Sequence, residues 1–267
     1  MIRDITIGQY YPAKSPIHRM DSRTKLFGTL IFIISVFLFH SVAGYAVATL
    51  FLAGMIIISQ VPVKFIFKGL KAIFMILMIT MVFNILLTPG EVLWKIGIFK
   101  ITREGISMAV RMAIRLVYLV IGSSLMTLTT TPNQLTDGLE KSLRPLNKIH
   151  IPVHEIAMMM SIALRFIPIL LEETDKIMKA QIARGADFES GNLIQKVKNM
   201  VPLLVPLFIS AFRRANDLAM AMEARCYHGG DNRTQMKPLH YTRRDHIAYV
   251  ILFVYLAVAI GFRVMGW

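Results

Sequence analysis

The sequence has one cysteine, Cys226, which excludes an internal disulfide and a Cys-x-x-Cys metal or redox site. Charge is sparse and lopsided: Asp, Glu, Lys and Arg make up 17% of the 267 residues, with 16 acidic against 30 basic. No G-x-x-x-x-G-K-[ST] run is present, so the chain is not expected to hold ATP in a P-loop of its own. G-x-S-x-G is missing too, with no plausible base arrangement around a serine, which argues against a membrane hydrolase. His18, His228, His240 and His246 show no ligand spacing. In "HIPVHE", His150, His154 and Glu155 stand close together, but Pro152 interrupts any helix between them, and the stretch reads as a loop before a helix start. No metal and no cofactor is expected on this chain. Nor is a cleavable leader: the first 25 residues carry Arg3, Lys14, Arg19, Arg23 and Lys25 without an apolar h-region.

What the chain has in abundance is apolar surface. Hydrophobic residues are 55% of it and the mean hydropathy is +0.57, too apolar for a soluble domain of this size. The net charge of +14 then reads as a positive-inside bias. The basic residues do not gather on one soluble module, so no nucleic-acid partner is expected. Leu26 to Val63 runs 38 positions without a charged residue. As one helix it would extend roughly 57 Å, against a hydrocarbon core of about 30 Å. It must fold back, and "HSVAG" from His40 to Gly44 is the expected break, giving spans at 26–39 and 45–59. A basic turn with Pro62, Lys64, Lys68 and Lys71 is expected next, then a third span at 72–90. "EVLWKIGIFKITREG" alternates around Gly97 as a hairpin or loop would. A fourth span is predicted at 106–130 and a fifth from 247 onward.

Five Lys and Arg precede the first span, three lie at 60–71 and sixteen at 132–246. The N-terminus and the long segment are therefore expected in the cytoplasm, which with five spans puts the C-terminus outside. The expected fold class is an all-α integral membrane protein: about five transmembrane helices plus a cytoplasmic coupling domain of long slanted amphipathic helices. Residues 1–130 hold the N-terminal segment and spans one to four, 131–245 the coupling domain, and 246–267 the final span.

The coupling domain opens with Thr131-Pro132, an N-cap and N1 proline, and a short helix to Leu143. Two long helical patterns follow, at 153–184 and 192–225. Each passes from an apolar half, "IAMMMSIALRFIPILL" or "VPLLVPLFISAF", to a polar one, "EETDKIMKAQIAR" or "RRANDLAMAMEAR". Such helices are expected to cross the interface at a slant, with Pro168, Pro202 and Pro206 bending them. Each polar half ends on A-x-x-A-R: Ala183-Arg184-Gly185 and Ala224-Arg225-Cys226. A basic residue followed by glycine is an ordinary helix stop. Two matching tips also suit partner docking, because alanines allow close approach and arginine offers five donors.

Three further arginines lie in apolar stretches. Arg111 and Arg115 share one face of the fourth span, either snorkelling to the outer interface or facing a partner or cavity. Arg165 needs an acidic partner or a lipid phosphate. Among the 18 methionines, Met158-Met159-Met160 suit core filling or an adaptable contact surface.

The segments "IGQYYPAKSPIHRMDSRTKL", "TLTTTPNQLTDGLEKSLRPL", "SIALRFIPILLEETDKIMKAQIARGADF" and "VPLLVPLFISAFRRANDLAMAMEARCYHGG" together resemble the transmembrane T component of energy-coupling factor transporters. The resemblance covers nearly the whole chain. It implies a non-catalytic coupling subunit in the cell membrane whose partners are two ABC ATPase subunits, a substrate-binding S component and the lipid bilayer. ATP and Mg would be bound by the ATPases. Ala183, Arg184 and Gly185 match one ATPase-docking motif, and Ala224 and Arg225 the other. Cys226 stands where glycine is usual, so a different helix cap is expected there. Met158, Met159, Pro168, Pro202 and Pro206 would face the S component or act as hinges. The form shared among several vitamin-specific S components fits better than one dedicated to cobalt or nickel. The competing reading is a self-contained carrier that holds an anionic solute through Arg111 and Arg115.

Overall fold

A computed structural model describes residues 10–39, 41–96, 99–186, 188, 192–229, 236 and 238–264; His40 and Gly97, named above, lie outside them. The described chain is helical apart from one hairpin. Its order is α1 (Ser22–Leu38), α2 (Val42–Ser59), α3 (Val63–Leu87), β1 (Val92–Ile96), β2 (Phe99–Thr102), α4 (Arg103–Thr129), α5 (Pro132–Leu143), a 3-10 turn (Arg144–Ile149), α6 (Val153–Ala183), α7 (Leu193–Ala224) and α8 (Arg243–Val264). The strands pair antiparallel, with Ile96 opposite Phe99 and a register shift between Val92 and Trp94.

Four of these helices, α2, α4, α6 and α8, are long and apolar enough to cross a membrane. A fifth span results if Val63–Lys71 and Ile73–Leu87, bent by 57°, count as one. The expected basic turn at 60–71 is thus corrected. Pro62 sits at the N-cap and α3 begins directly after it, so Lys64, Lys68 and Lys71 occupy helical turns. Lysine is a good helix former, and charge alone does not make a loop. At 17 residues α1 rises roughly 26 Å.

The chain divides into two compact units, one of residues 8–141 with 239–267, the other of 142–238. In the first, α4 packs on α1, α2 and α3, while α8 packs on α1 and α2. Local signals start the helices: Asp21, Ser41 and Thr102 each accept a backbone N–H from the first turn of α1, α2 and α4. The core holds Phe32, Val36, Phe39, Tyr45, Leu52 and Tyr255. Phe51 and Tyr255 stack at 4.3 Å, and the Tyr255 hydroxyl meets Ser35 Oγ at 2.7 Å. Gly122 is required where α4 meets α1, since a Cβ there would come within 2.8 Å of the Phe32 ring. Outward, α3 and α8 expose large apolar side chains such as Phe74, Phe83, Val250 and Phe253. Such a surface suits contact with lipid.

A network of polar contacts closes one end of this unit. Asp245, 0% exposed, accepts the Asp21 N–H at 2.9 Å on one oxygen. Its other oxygen accepts the Thr242 N–H at 2.8 Å and the Thr242 hydroxyl at 2.6 Å. Asp21 in turn takes a two-pronged ion pair from Arg23, at 2.8 and 3.1 Å, and the Arg23 guanidinium lies 3.9 Å over the Tyr241 ring. Buried Lys25 donates from Nζ to the Thr129 carbonyl at the end of α4, at 2.8 Å, and to the His18 carbonyl at 3.3 Å. His18 itself bonds to Ser15 Oγ at 2.7 Å and to the Tyr11 carbonyl at 2.9 Å. Tyr11 N–H closes the network on the Leu128 carbonyl at 2.9 Å.

Two outcomes follow from this network. Asp245→Ala strands three donors and is expected to destabilise the chain by about 3 kcal/mol, read as a lowered Tm in detergent and faster proteolysis around 238–245. An unchanged Tm would show that the carboxylate carries no net stability. Burial, with Lys25 adding, holds the His18 imidazole below its ordinary value, and the Tyr11 carbonyl only partly opposes this. The folded state therefore prefers the neutral ring, and stability complete above the unfolded value of about 6.5 is lost as pH falls through it. His18→Gln should remove that share of the acid sensitivity in unfolding measured between about pH 5 and 7.

Candidate partner-docking helix tips

The two tips share one backbone geometry. At the end of α6, Arg184 is the C-cap, with φ −88° and ψ 6°, and Gly185 turns left-handed at φ +87°. Gly185 N–H donates to the Ile182 carbonyl at 2.9 Å and Ala186 N–H to the Gln181 carbonyl at 3.0 Å. At the end of α7, Arg225 has φ −94° and ψ 13°, and Cys226 takes the left-handed position at φ +56°. Cys226 N–H donates to the Glu223 carbonyl at 2.8 Å and Tyr227 N–H to the Met222 carbonyl at 3.0 Å. Both ends are Schellman caps. The different cap expected at Cys226 is therefore corrected: the bonding pattern is the same, with cysteine carrying the strain of a left-handed backbone.

Ala183, Arg184, Gly185, Ala224, Arg225 and Cys226 are all exposed, as are Ala180 and Ala221 one turn earlier. Among the described residues no carboxylate pairs with either Arg184 or Arg225. Each tip thus presents a shelf of small side chains ending in a guanidinium.

Among the described residues, an ion pair and a hydrogen bond join α6 to α7. Arg214 meets Glu173 at 3.2 Å, both partly exposed. The Gln181 amide donates to the Pro202 carbonyl at 3.3 Å. That carbonyl is the one freed in α7 because Pro206, four residues on, has no N–H to offer it. The links run in opposite sequence order, 173 to 214 and 181 to 202, so the helices are antiparallel over their contact. Arg184 and Arg225 each lie eleven residues beyond the ion pair, roughly 16 Å away and in opposite directions. The helix pair therefore offers two separated tips rather than one joint end.

Both long helices run on unbroken through Pro168, Pro202 and Pro206. Met159 and Met160 are exposed, at 58% and 42%, and Met158 is half-buried. Arg165 is exposed on α6. His150 caps the 3-10 turn in a left-handed conformation and α6 starts three residues later, the loop read from the sequence. No cluster able to hold a metal occurs among the described residues.

Arg111 and Arg115, paired in the sequence, part company in the fold. Arg111 is exposed. Arg115 donates to the Phe39 carbonyl at 3.3 Å, at the negative end of α1, and to the Tyr45 hydroxyl at 3.5 Å. Arg115 is a structural tie between α4, α1 and α2.

Sequence reasoning missed Glu173, Arg214 and Gln181. One signal was present: the 41 residues between Glu173 and Arg214 also separate Arg184 from Arg225. It missed the roles of His18, Asp21, Lys25 and Asp245 as well.

Comparison with known proteins places this geometry in a family. A family profile described as "CbiQ: Cobalt transport protein" matches residues 13–236. The energy-coupling factor transporter transmembrane protein EcfT of Clostridium kluyveri is 57% identical over 266 residues, covering 99% of this chain and 98% of that protein. The EcfT of Ruminiclostridium cellulolyticum is 55% identical over 256 residues, 96% of each chain. That of Bacillus subtilis is 48% identical over 264 residues, covering 98% of this chain and 100% of its own. A multi-pass helical chain with two matching arginine tips, similar over its whole length to these proteins, belongs to the family of energy-coupling factor transporter transmembrane proteins.

Proposed function

We propose that this chain is the mechanical coupler of an energy-coupling factor importer, transmitting the ATP-driven movement of two ATPase subunits to a membrane-embedded S component that carries a vitamin or other micronutrient. The observation that carries the reading is the pair of tips: same cap, same exposed alanine shelf, same unpaired guanidinium, at opposite ends of two antiparallel helices. Two separated copies of one docking element suit two related subunits. ATP and Mg belong to those subunits, and this chain does no chemistry.

The mechanism follows from the link between the helices. When nucleotide binding draws the ATPases together, each carries one tip with it. The force meets where a partly exposed ion pair and a hydrogen bond from the Gln181 amide to the Pro202 carbonyl hold α6 to α7. Such links contribute little on their own, about 0.2–1 kcal/mol for the ion pair. The helices can therefore change their crossing angle without unfolding. Val197, Val201, Val205, Phe208 and Phe212 form an exposed apolar stripe along α7, at spacings of three and four. This stripe, with Met158, Met159 and the segment around Pro168, Pro202 and Pro206, is the surface against which the S component would be turned. The solute is set by that component, and the module is of the form shared among several vitamin-specific S components. The N-terminus and the polar tips of α6 and α7 lie on the cytoplasmic side and the C-terminus outside, following the distribution of Lys and Arg. The self-contained carrier is less well supported, because Arg115 Nη2 is bonded to the Phe39 carbonyl and the Tyr45 hydroxyl while Arg111 is exposed.

Arg184→Ala and Arg225→Ala are each expected to weaken ATPase association by about 2–5 kcal/mol, the cost of breaking a buried charged contact. Pull-down of the ATPases with each single variant and with the double variant measures this; undiminished recovery by all three would remove the proposal. Cys226→Gly relieves a left-handed non-glycine residue and should stabilise the end of α7 by about 1 kcal/mol. Slower amide exchange at 224–228 with unchanged ATPase recovery is the expected result.

A further inference from the structure

Within the first unit, α1, α2, α4 and α8 line a half-open cavity of about 340 Å³, in the size range of small-ligand sites. Its shaft is apolar, walled by Gly28, Phe32, Phe51, Leu125, Ile251 and Leu252. Two of the hydroxyls along it are engaged: Thr29 donates to the Lys25 carbonyl and Thr129 to the Leu125 carbonyl. Charge collects at one end only, where Lys25 and Arg244 line the wall. From Arg244 to Leu252 the shaft runs eight helical residues, roughly 12 Å.

The two cations differ in what they have left to give. Lys25 spends two of its three ammonium hydrogens on the Thr129 and His18 carbonyls. Arg244 is exposed at the mouth and has no partner among the described residues. Among the described residues Asp245 forms no ion pair with it; its oxygens accept from the Asp21 N–H and from Thr242. A greasy shaft between membrane helices with an unspent guanidinium at its rim has the polarity of a lipid: apolar chain inside, anionic group at the end. Arg244 stands in the first turn of α8, where a span leaves the hydrocarbon and headgroups begin.

We propose that this cavity binds one anionic phospholipid, with an acyl chain in the shaft and its phosphate on Arg244. The site is separate from the helix tips and does not depend on ATPase docking. Native mass spectrometry of the delipidated full chain, offered phosphatidylglycerol and phosphatidylcholine at equal concentration, tests it. One phosphatidylglycerol per chain is expected, preferred by about fivefold for a single cation near a headgroup. Arg244→Gln, at an exposed position, should bring the two lipids to parity. Ala248→Phe places a ring in the shaft and should evict both, and Ala248→Leu, the gentler filling, should lower occupancy if the larger variant fails to fold. Equal binding of the two lipids by the wild type would overturn the proposal, as would an undiminished preference in Arg244→Gln. So would full occupancy in both Ala248 variants, or a bound detergent or protein segment in place of lipid.

Discussion

Everything in the first unit hangs on polar ties to α1. Lipid tails are as apolar as leucine, so burying leucine between helices in a bilayer gives little drive for association, and hydrogen bonds and close packing must set the register. The ties fall along the whole of α1 and its caps. Asp21 at its start is fixed to Asp245 of α8, and Lys25 one turn on is fixed to the end of α4. Ser35 meets Tyr255 midway along α8, and the carbonyl of Phe39, just past the last turn, is held by Arg115 of α4. Gly122 lets α4 come close enough to α1 for these bonds to form. A helix pinned at both ends and in the middle can neither slide nor rotate against its neighbours.

The second unit is built on the opposite principle. Among the described residues, two helices of 31 and 32 residues are joined by an ion pair, 38% and 28% exposed, and an amide-to-carbonyl hydrogen bond. Few of their side chains are buried, and the apolar stripe of α7 faces outward. A pair so lightly joined keeps each helix stiff through its own hydrogen bonds while leaving the angle between them soft. Stiff levers on a soft pivot are what a transmitter of movement needs. A well-packed interface would resist the motion, and a flexible helix would absorb it.

The sequence made the helices legible because their signals are local. Apolar runs, N-caps and the Ala-Arg stop all act within one or two turns, so the helices and the ends of α6 and α7 could be read directly, whereas α6, expected in the cytoplasmic domain, is itself long and apolar enough to cross a membrane. The start of α3 was misread for the same reason, since three lysines in a row of turns look like a loop until their helical spacing is counted. The polar network around the start of α1 was visible only as a segment, "IGQYYPAKSPIHRMDSRTKL". Its partners stand 224 residues away at Asp245 and 104 away at Thr129, and spacing along the chain carries no trace of them. Arg111 and Arg115 show the limit most clearly. One helical face puts them together, and only the fold reveals that Arg115 is occupied by the end of α1.

The caps explain why the tip arginines remain available. An arginine at a helix C-terminus is drawn toward the helix's own last carbonyls, which carry the negative end of the dipole. At both tips two of those carbonyls are already satisfied from the backbone: Gln181 and Ile182 by Ala186 and Gly185, Met222 and Glu223 by Tyr227 and Cys226. The left-handed residue that makes this possible also turns the chain aside immediately after the arginine, leaving the alanine shelf uncovered. Cysteine in place of glycine at 226 leaves this pattern intact, so the geometry is imposed by the cap bonds more than by residue preference. The guanidinium is thereby left with donors that its own helix does not need, and a partner's carboxylates or carbonyls can take them.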